Sequence, residues 1–247
     1  MAFLVGLDCG GAKTAAAVCD AAGRIIARAR GPGSAIVGLP GESFFGVIEP
    51  LLEEVLKAAG VALNDVTRVG MGLSGVDFAD ETRVQADYIG GRLGLRDRLV
   101  LVNDGLIALW GASAGDRVVL VQHGSGVTTA YRDGLGHEAI FDSLDVAHVF
   151  DLRRAAVSRT ARMIDGREPA TSLKERVLAH CDVAAVDFAE WYFRDPLARP
   201  RCSALAAVVF EAWRQDDAVA IELVEAAAND YVLTAQTMGQ RLGDGAF

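Results

Sequence analysis

The chain has no run of lysine and arginine, no cysteine pair at metal-binding spacing and no apolar stretch long enough to span a bilayer. Lys and Arg total 24 against 33 Asp and Glu, for a formal charge of −9; a nucleic-acid partner would call for a basic face. The four cysteines (Cys9, Cys19, Cys181, Cys202) are scattered without a CxxC pair and read as free thiols in a reducing compartment. The four histidines (His123, His137, His148, His180) also lack ligand spacing. No GxxxxGK[ST] run is present, which excludes a Walker phosphate loop. The opening apolar stretch, Ala2 to Leu7, is too short for a signal-peptide core and gives way at once to Asp8. No window reaches the roughly 20 apolar residues of a membrane span. A soluble cytoplasmic protein without a nucleic-acid or membrane partner is expected.

With 247 residues, the chain stands at the border between one large domain and two small ones. Its opening predicts a three-strand meander, Phe3 to Leu7, Ala15 to Cys19 and Ile25 to Ala29. The joins carry turn chemistry at Cys9-Gly10-Gly11-Ala12 and Ala21-Ala22-Gly23. A Gly/Pro loop from Gly31 to Gly41 leads to a helix over 42–59, with Val47, Leu51, Leu52, Val55 and Leu56 at helical spacing and Pro50 as an interruption. Strand, glycine loop and helix then alternate: a strand over 68–72, a helix over 80–93, a strand over 99–102 and a helix from Asn103-Asp104 to about Ala114. That alternation predicts an α/β layer with a largely parallel sheet.

A second unit opens at Arg117, with strands over 118–121 and 127–132 around Gly124-Ser125-Gly126. Set against the start of the chain, one glycine-turn hairpin recurs at an offset of about 114 residues, as in an internal duplication. Two such hairpins could clamp a polyphosphate from both sides. Beyond Val146 the pattern is helical, over 146–164, 171–180, 185–193, 203–214 and 217–242. Asp216-Asp217 marks a helix start, and Asp195-Pro196 and Arg199-Pro200 break the run. The chain stops at a loop after its last long helix, so a further strand is expected and the second lobe reads as truncated.

Three places could carry chemistry. At Asp8 to Thr14 a strand ending in an acid enters a tight glycine turn, where backbone N–H groups of Gly10, Gly11 and Ala12 can approach phosphate without a Cβ in the way. Lys13 or Thr14 could add a donor, and Asp8 could hold Mg²⁺ through water. An ordinary hairpin with a turn-forming Asp accounts for the same residues. Asp104 stands where a strand meets a helix, the position at which ligands meet α/β sheets. A carboxylate there could take the proton from a hydroxyl attacking a γ-phosphoryl group, or simply cap the helix. Gly124-Ser125-Gly126 repeats the phosphate reading of the first turn and its alternative. The order of the three is the one a split ATPase needs.

The segments Val5 to Thr14 and Val102 to Ala112 resemble the BadF/BadG/BcrA/BcrD ATPase family, which includes N-acetylglucosamine and glucosamine kinases. The resemblance continues through Gly31-Pro32-Gly33-Ser34, Gly72-Leu73-Ser74-Gly75-Val76-Asp77, Gly134-Leu135-Gly136-His137, Leu152-Arg153-Arg154-Ala155 and Tyr192 to Pro196. It implies an actin-like (ribonuclease H-like) α/β fold of two lobes, here 1–114 and 115–247, the second rich in helices, with ATP and Mg²⁺ between them. Asp104 matches the family's catalytic base, Asp8 and Gly10 to Thr14 its first phosphate motif, and Ser125-Gly126 a loop touching sugar and phosphate. Ser34, Ser74, Gly75, Gly136 and His137 fall in segments that imply substrate contacts. Ser34 followed by Ala35 stands where relatives have an Asn for a sugar hydroxyl. Relatives follow Gly-His with Gly-Asp-Glu-Gly-Ser; here Glu138 to Asp145 has lost those glycines, and Asp142 is the stand-in for the sugar-binding acid. The relatives' adenine-binding glycine loop has no counterpart before Phe247.

The resemblance thus implies an ATP-dependent kinase acting on an amino sugar or N-acetylhexosamine, and a homodimer is compatible with it. The altered segment 138–145 suits a rival: an actin-like sensor that binds sugar or nucleotide without turnover. A reductive-dehydratase activator would need cysteines bridging an iron–sulfur cluster, and the spacing offers none.

Overall fold

In the computed structural model, residues 2–123, 127–140 and 150–243 are described. They divide between two units, Met1–Ser143 with Leu242–Phe247, and Leu144–Arg241.

The first unit is organised by the meander. Strands β1 (Phe3–Cys9), β2 (Lys13–Asp20) and β3 (Ile25–Pro32) pair antiparallel, and β4 (Val66–Leu73) and β5 (Leu99–Asn103) add in parallel, giving the order β3-β2-β1-β4-β5. On β1, alternate residues Val5, Leu7 and Cys9 are buried, as a strand with one core face requires. β4 is buried along most of its length, as fits the strand between two parallel neighbours. One face of the sheet is covered by α1 (Glu42–Ala59), which buries Phe44, Phe45, Ile48, Leu51, Leu52, Val55 and Leu56. That stripe follows the 3.6-residue period. The helix runs through Pro50; the residue four positions earlier, whose carbonyl the proline ring crowds, is Gly46. Gly60 at φ 66° ends the helix in the left-handed conformation glycine accepts without strain. Helix α2 (Ala79–Arg92) buries Ile89 in the same core.

Helix α3 (Asp104–Ala112) lies on the opposite face. A Cβ on Gly72 would stand 2.3 Å from Ile107 Cδ1, so only glycine lets the helix approach β4 this closely. On its other side α3 meets a second antiparallel sheet, β6 (Arg117–His123), β7 (Val127–Asp133) and β8 (Glu138–Ile140), in the order β6-β7-β8. There a Cβ on Gly105 would stand 2.2 Å from Thr128 Cγ2.

The duplication is visible in the strand ends: Phe3, Cys9 and Lys13 correspond to Arg117, His123 and Val127 at the offset read from the sequence. The registers differ, however. Cys9 pairs with Thr14, but His123 pairs with Val127, so the second hairpin closes one residue tighter.

The second unit is helical: α4 (Leu152–Ile164), α5 (Ser172–Cys181), α6 (Phe188–Arg194), α7 (Ala198–Cys202), α8 (Leu205–Trp213) and α9 (Ala218–Arg241). Its core includes Leu173, Val177, Leu205, Val209, Ala212 and Leu223. Asp217 starts α9, as the sequence indicates, accepting from the Ala220 amide at 3.0 Å; it also accepts from the Ser172 hydroxyl and the Leu173 amide of α5 at 2.8 and 2.9 Å. Where Arg199-Pro200 reads as a break, the short α7 forms instead, since proline is tolerated in a first turn. No described helix is long and apolar enough to cross a membrane.

Candidate active site

Three parallel strands deliver their C-terminal ends to one edge of the first sheet. Cys9, Leu73 and Asn103 stand abreast, as do Asp8, Gly72 and Val102 one residue earlier. In-register residues on neighbouring strands share a face, so the Asp8 carboxylate lies on the face that α3 covers, and Asp104 opens α3 at the same edge.

Asp104 is partly buried, and its carboxyl is pushed up to about 6. Burial is the main cause, the negative charge of Asp8 the next; the Gly105 and Asp104 amides pull the other way, and Asp77 adds a further push up. The start of a helix ordinarily favours a carboxylate. Here desolvation and two neighbouring acids outweigh it.

The loops around this edge are stitched together by backbone bonds. Gly10 N–H donates to Lys13 O at 3.1 Å, closing the β1–β2 turn, and leaves Gly11, Ala12 and Lys13 exposed at its tip. Ser34 N–H donates to Gly10 O and Ser74 N–H to Cys9 O, both at 3.0 Å, and Ile36 N–H reaches Ser74 O at 3.0 Å. The approach of the second loop is so close that a Cβ on Gly33 would stand 2.1 Å from Gly11 O. Gln85 of α2, buried, donates to Gly38 O at 3.0 Å and Gly75 O at 3.4 Å, holding both loops from behind.

Thr14 is fully buried: its hydroxyl donates to Pro32 O at 2.7 Å and shares a 2.6 Å hydrogen bond with Ser34. The Thr14 proton is used on Pro32, so Ser34 is the donor of that pair. Ser34 is buried too, and reaches the Cys9 thiol, which burial, together with Asp8 and Asp104, pushes up to about 12. These two hydroxyls fasten the loop, while the exposed tip at Gly11–Lys13 faces outward.

The structure brings Asp8, Gly10 to Thr14, Ser34, Ser74, Gly75 and Asp104 to one edge. It does not bring Gly136 and His137 there. These occupy the β7–β8 turn, where Asp133 accepts from the Leu135 and His137 amides and from the exposed His137 ring at 2.9 Å. That turn is five residues along an extended strand from Thr128, roughly 17 Å away. Gly124, Ser125, Gly126 and Asp142, with the side chain of His123, lie outside the described residues.

Two polar residues at this edge carry weight the sequence reading did not give them. Asp77 is the third acid, from the loop after β4, and Asn103 does more than cap. Its Oδ1 accepts from Gly105 N–H at 2.7 Å, while its Nδ2 donates to Asp77 Oδ1 at 2.8 Å and Val76 O at 3.2 Å. The signal for Asp77 was the strand order, which puts the end of β4 between β1 and β5.

A five-strand sheet in this order, a recurring hairpin and an acid-lined strand edge define the fold of the actin-like class. The pattern of the BadF/BadG/BcrA/BcrD ATPase family matches residues 5–246, and the chain belongs to that family. It is 23% identical over 96% of its length to an N-acetylmuramic acid/N-acetylglucosamine kinase of Clostridium acetobutylicum, 79% of which is covered. Among solved structures, a candidate N-acetylglucosamine kinase of Chromobacterium violaceum superposes with a TM-score of 0.75 at 26% identity, covering 98% of this chain and 83% of that one. A ROK family glucokinase of Streptomyces griseus, in complex with glucose and AMPPNP, shares the fold at a TM-score of 0.57 and 21% identity, over 92% of this chain and 76% of that one.

Proposed function

We propose that the chain is an ATP-dependent carbohydrate kinase that transfers the γ-phosphoryl group to a hydroxyl of an amino sugar or N-acetylhexosamine. The observation that carries this reading is Asp104, a partly buried carboxylate pushed up to about 6 at the mouth of β5, in a chain whose relatives are named as kinases of such sugars. A base poised near neutral pH suits removal of a hydroxyl proton.

In this mechanism Asp104 orients the acceptor hydroxyl and takes its proton as the oxygen attacks the γ-phosphorus. The new O–P bond forms while the bond to the bridging oxygen of the departing ADP breaks. The exposed tip Gly11–Lys13 holds phosphate oxygens through backbone N–H groups, and Gly124 to Gly126 are proposed as its counterpart across the two lobes 1–114 and 115–247. Ser74, Gly75, Ser125 and Asp142 are proposed to face the sugar. Positioning and electrostatics supply most of the catalysis in such transfers.

Mg²⁺ fits this donor set: it takes one or two carboxylates and leaves the rest of its shell to water and phosphate, and Asp8 is exposed on the face that α3 covers. When bound, the ion would offset phosphate charge. Asp8 would hold it, with no second protein ligand required.

The test is a coupled ADP-release assay over a panel of hexosamines and N-acetylhexosamines. Turnover with one of them, abolished in Asp104→Asn, supports the kinase. Ligand-induced stabilisation with no ADP release supports the sensor reading that the altered segment 138–145 favours.

A further inference from the structure

We propose that Asn103 is a positioning residue: its side-chain amide locks the loop after β4 to the first turn of α3, and so fixes where Asp77 and Asp104 stand relative to each other. The inference rests on the kinase reading for its effect on turnover. The lock itself stands on geometry alone.

Asn103 is 7% exposed, and each end of its amide is engaged. The oxygen takes the Gly105 N–H, one of the donors a helix start leaves open. The nitrogen spends its two protons on the Val76 carbonyl and the Asp77 carboxylate. A cap alone needs an acceptor, which Ser, Thr or Asp would supply equally well. Among these capping side chains only the amide offers an acceptor to the helix and, from a separate atom, two N–H donors to the loop. The loop it grips has no slack elsewhere: Ser74 N–H is bound to β1, Gly75 O accepts from Gln85, and the Asp77 amide donates to Glu81 at 3.1 Å. At Gly75, φ is 96° and a Cβ would stand 2.0 Å from Ile36 O. Asn103 therefore completes a frame tied at every other corner. Without it, two acids brought to one edge would drift apart through mutual repulsion.

Two substitutions separate the lock from the cap. Asn103→Ser keeps an N-cap hydroxyl but cannot reach Asp77, and Asp77→Ala removes the partner. In the full-length protein, each is expected to lower kcat about tenfold with the KM for ATP little changed, as a small misplacement of a reacting group does. The double variant should lose no more than either single one, because both delete the same contact. Hydrogen exchange without any substrate should show faster exchange at the amides of residues 76–78 in Asn103→Ser, with Gly105 still protected. Wild-type kcat in Asn103→Ser, or losses in the two variants that multiply, would overturn the positioning role. Unchanged exchange at 76–78 would overturn the lock. If wild-type protein turns over none of the sugars, the kinase reading fails, and exchange alone still decides whether the lock exists.

Discussion

The two glycine-turn hairpins share a backbone plan and differ in what surrounds them. The first is extended by β4 and β5, so three strand ends meet at one edge and supply Asp8, Asp77 and Asp104. The second is extended on the other side by β8; among the described residues β6 is left at the border of its sheet. At the positions matching Asp8 and Thr14 the second hairpin carries Gln122 and Thr128. Thr14 spends its hydroxyl on Pro32 and Ser34, whereas Thr128 presents its methyl to Gly105. The two hairpins thus share a strand plan, and among the described residues the cluster of three acids stands beside the one that parallel strands extend.

The sharpest way to break this comparison is Asp104→Asn. Its expected loss of turnover is about 10²–10⁴-fold, the usual worth of a positioned general base. The same change should stabilise the fold. A carboxyl raised to about 6 holds its proton more tightly in the native state, so stability falls as pH climbs from the ordinary carboxylate range through 6. With discount for its partial exposure, the gain in Asp104→Asn at pH 7.5 is about 1–2 kcal/mol, and it should vanish below pH 4. Thermal unfolding across pH checks both signs.

Next come the close approaches around each hairpin. Gly33→Ala drives a Cβ onto the Gly11 carbonyl, backbone that cannot give way, and should cost about 2 kcal/mol or more and raise the KM for ATP. Gly105→Ala meets chiefly the Thr128 methyl. Adding Thr128→Ser, which removes that methyl, should recover part of the loss, whereas no side-chain trimming should recover Gly33→Ala. Urea unfolding of the three variants measures this.

A smaller effect is expected of Asp77→Asn. It deletes one of the charges that raise Asp104 and keeps an acceptor for Asn103, so the acid limb of the kcat–pH profile, expected near 6, should move to lower pH. The smallest belongs to His137→Ala, whose ring is mostly exposed at the far end of β7. Turnover should match wild type; a marked loss would bring that turn back to the site.

Much of the first sheet was legible because its signals are local. A short apolar run marks β1, a 3.6-residue stripe marks α1, and the turns carry glycine where the backbone demands it. β8 escaped because three residues are too few for alternation to show. Asp104 was legible as an acid between a strand and a helix. Asp77 was not, because its place depends on β4 lying between β1 and β5, a fact of pairing order rather than of neighbouring residues. Gly136 and His137 rest on the family resemblance alone, which says nothing of register; the antiparallel pairing puts them in the β7–β8 turn, at the other end of the strand from Thr128. The buried roles of Thr14 and Ser34 were also out of reach, since a hydroxyl gives no sign in sequence of which way it turns.

Helix α3 touches a glycine-bared strand on one side and, through its own Gly105, a threonine methyl on the other. It works as a feeler gauge between the sheets, its bare thickness setting their separation with no padding to absorb error. Residues on those two flanks are thus ruled by calibre more than by polarity, and a single methylene there would be read out as a change in the reach between two distant strand ends.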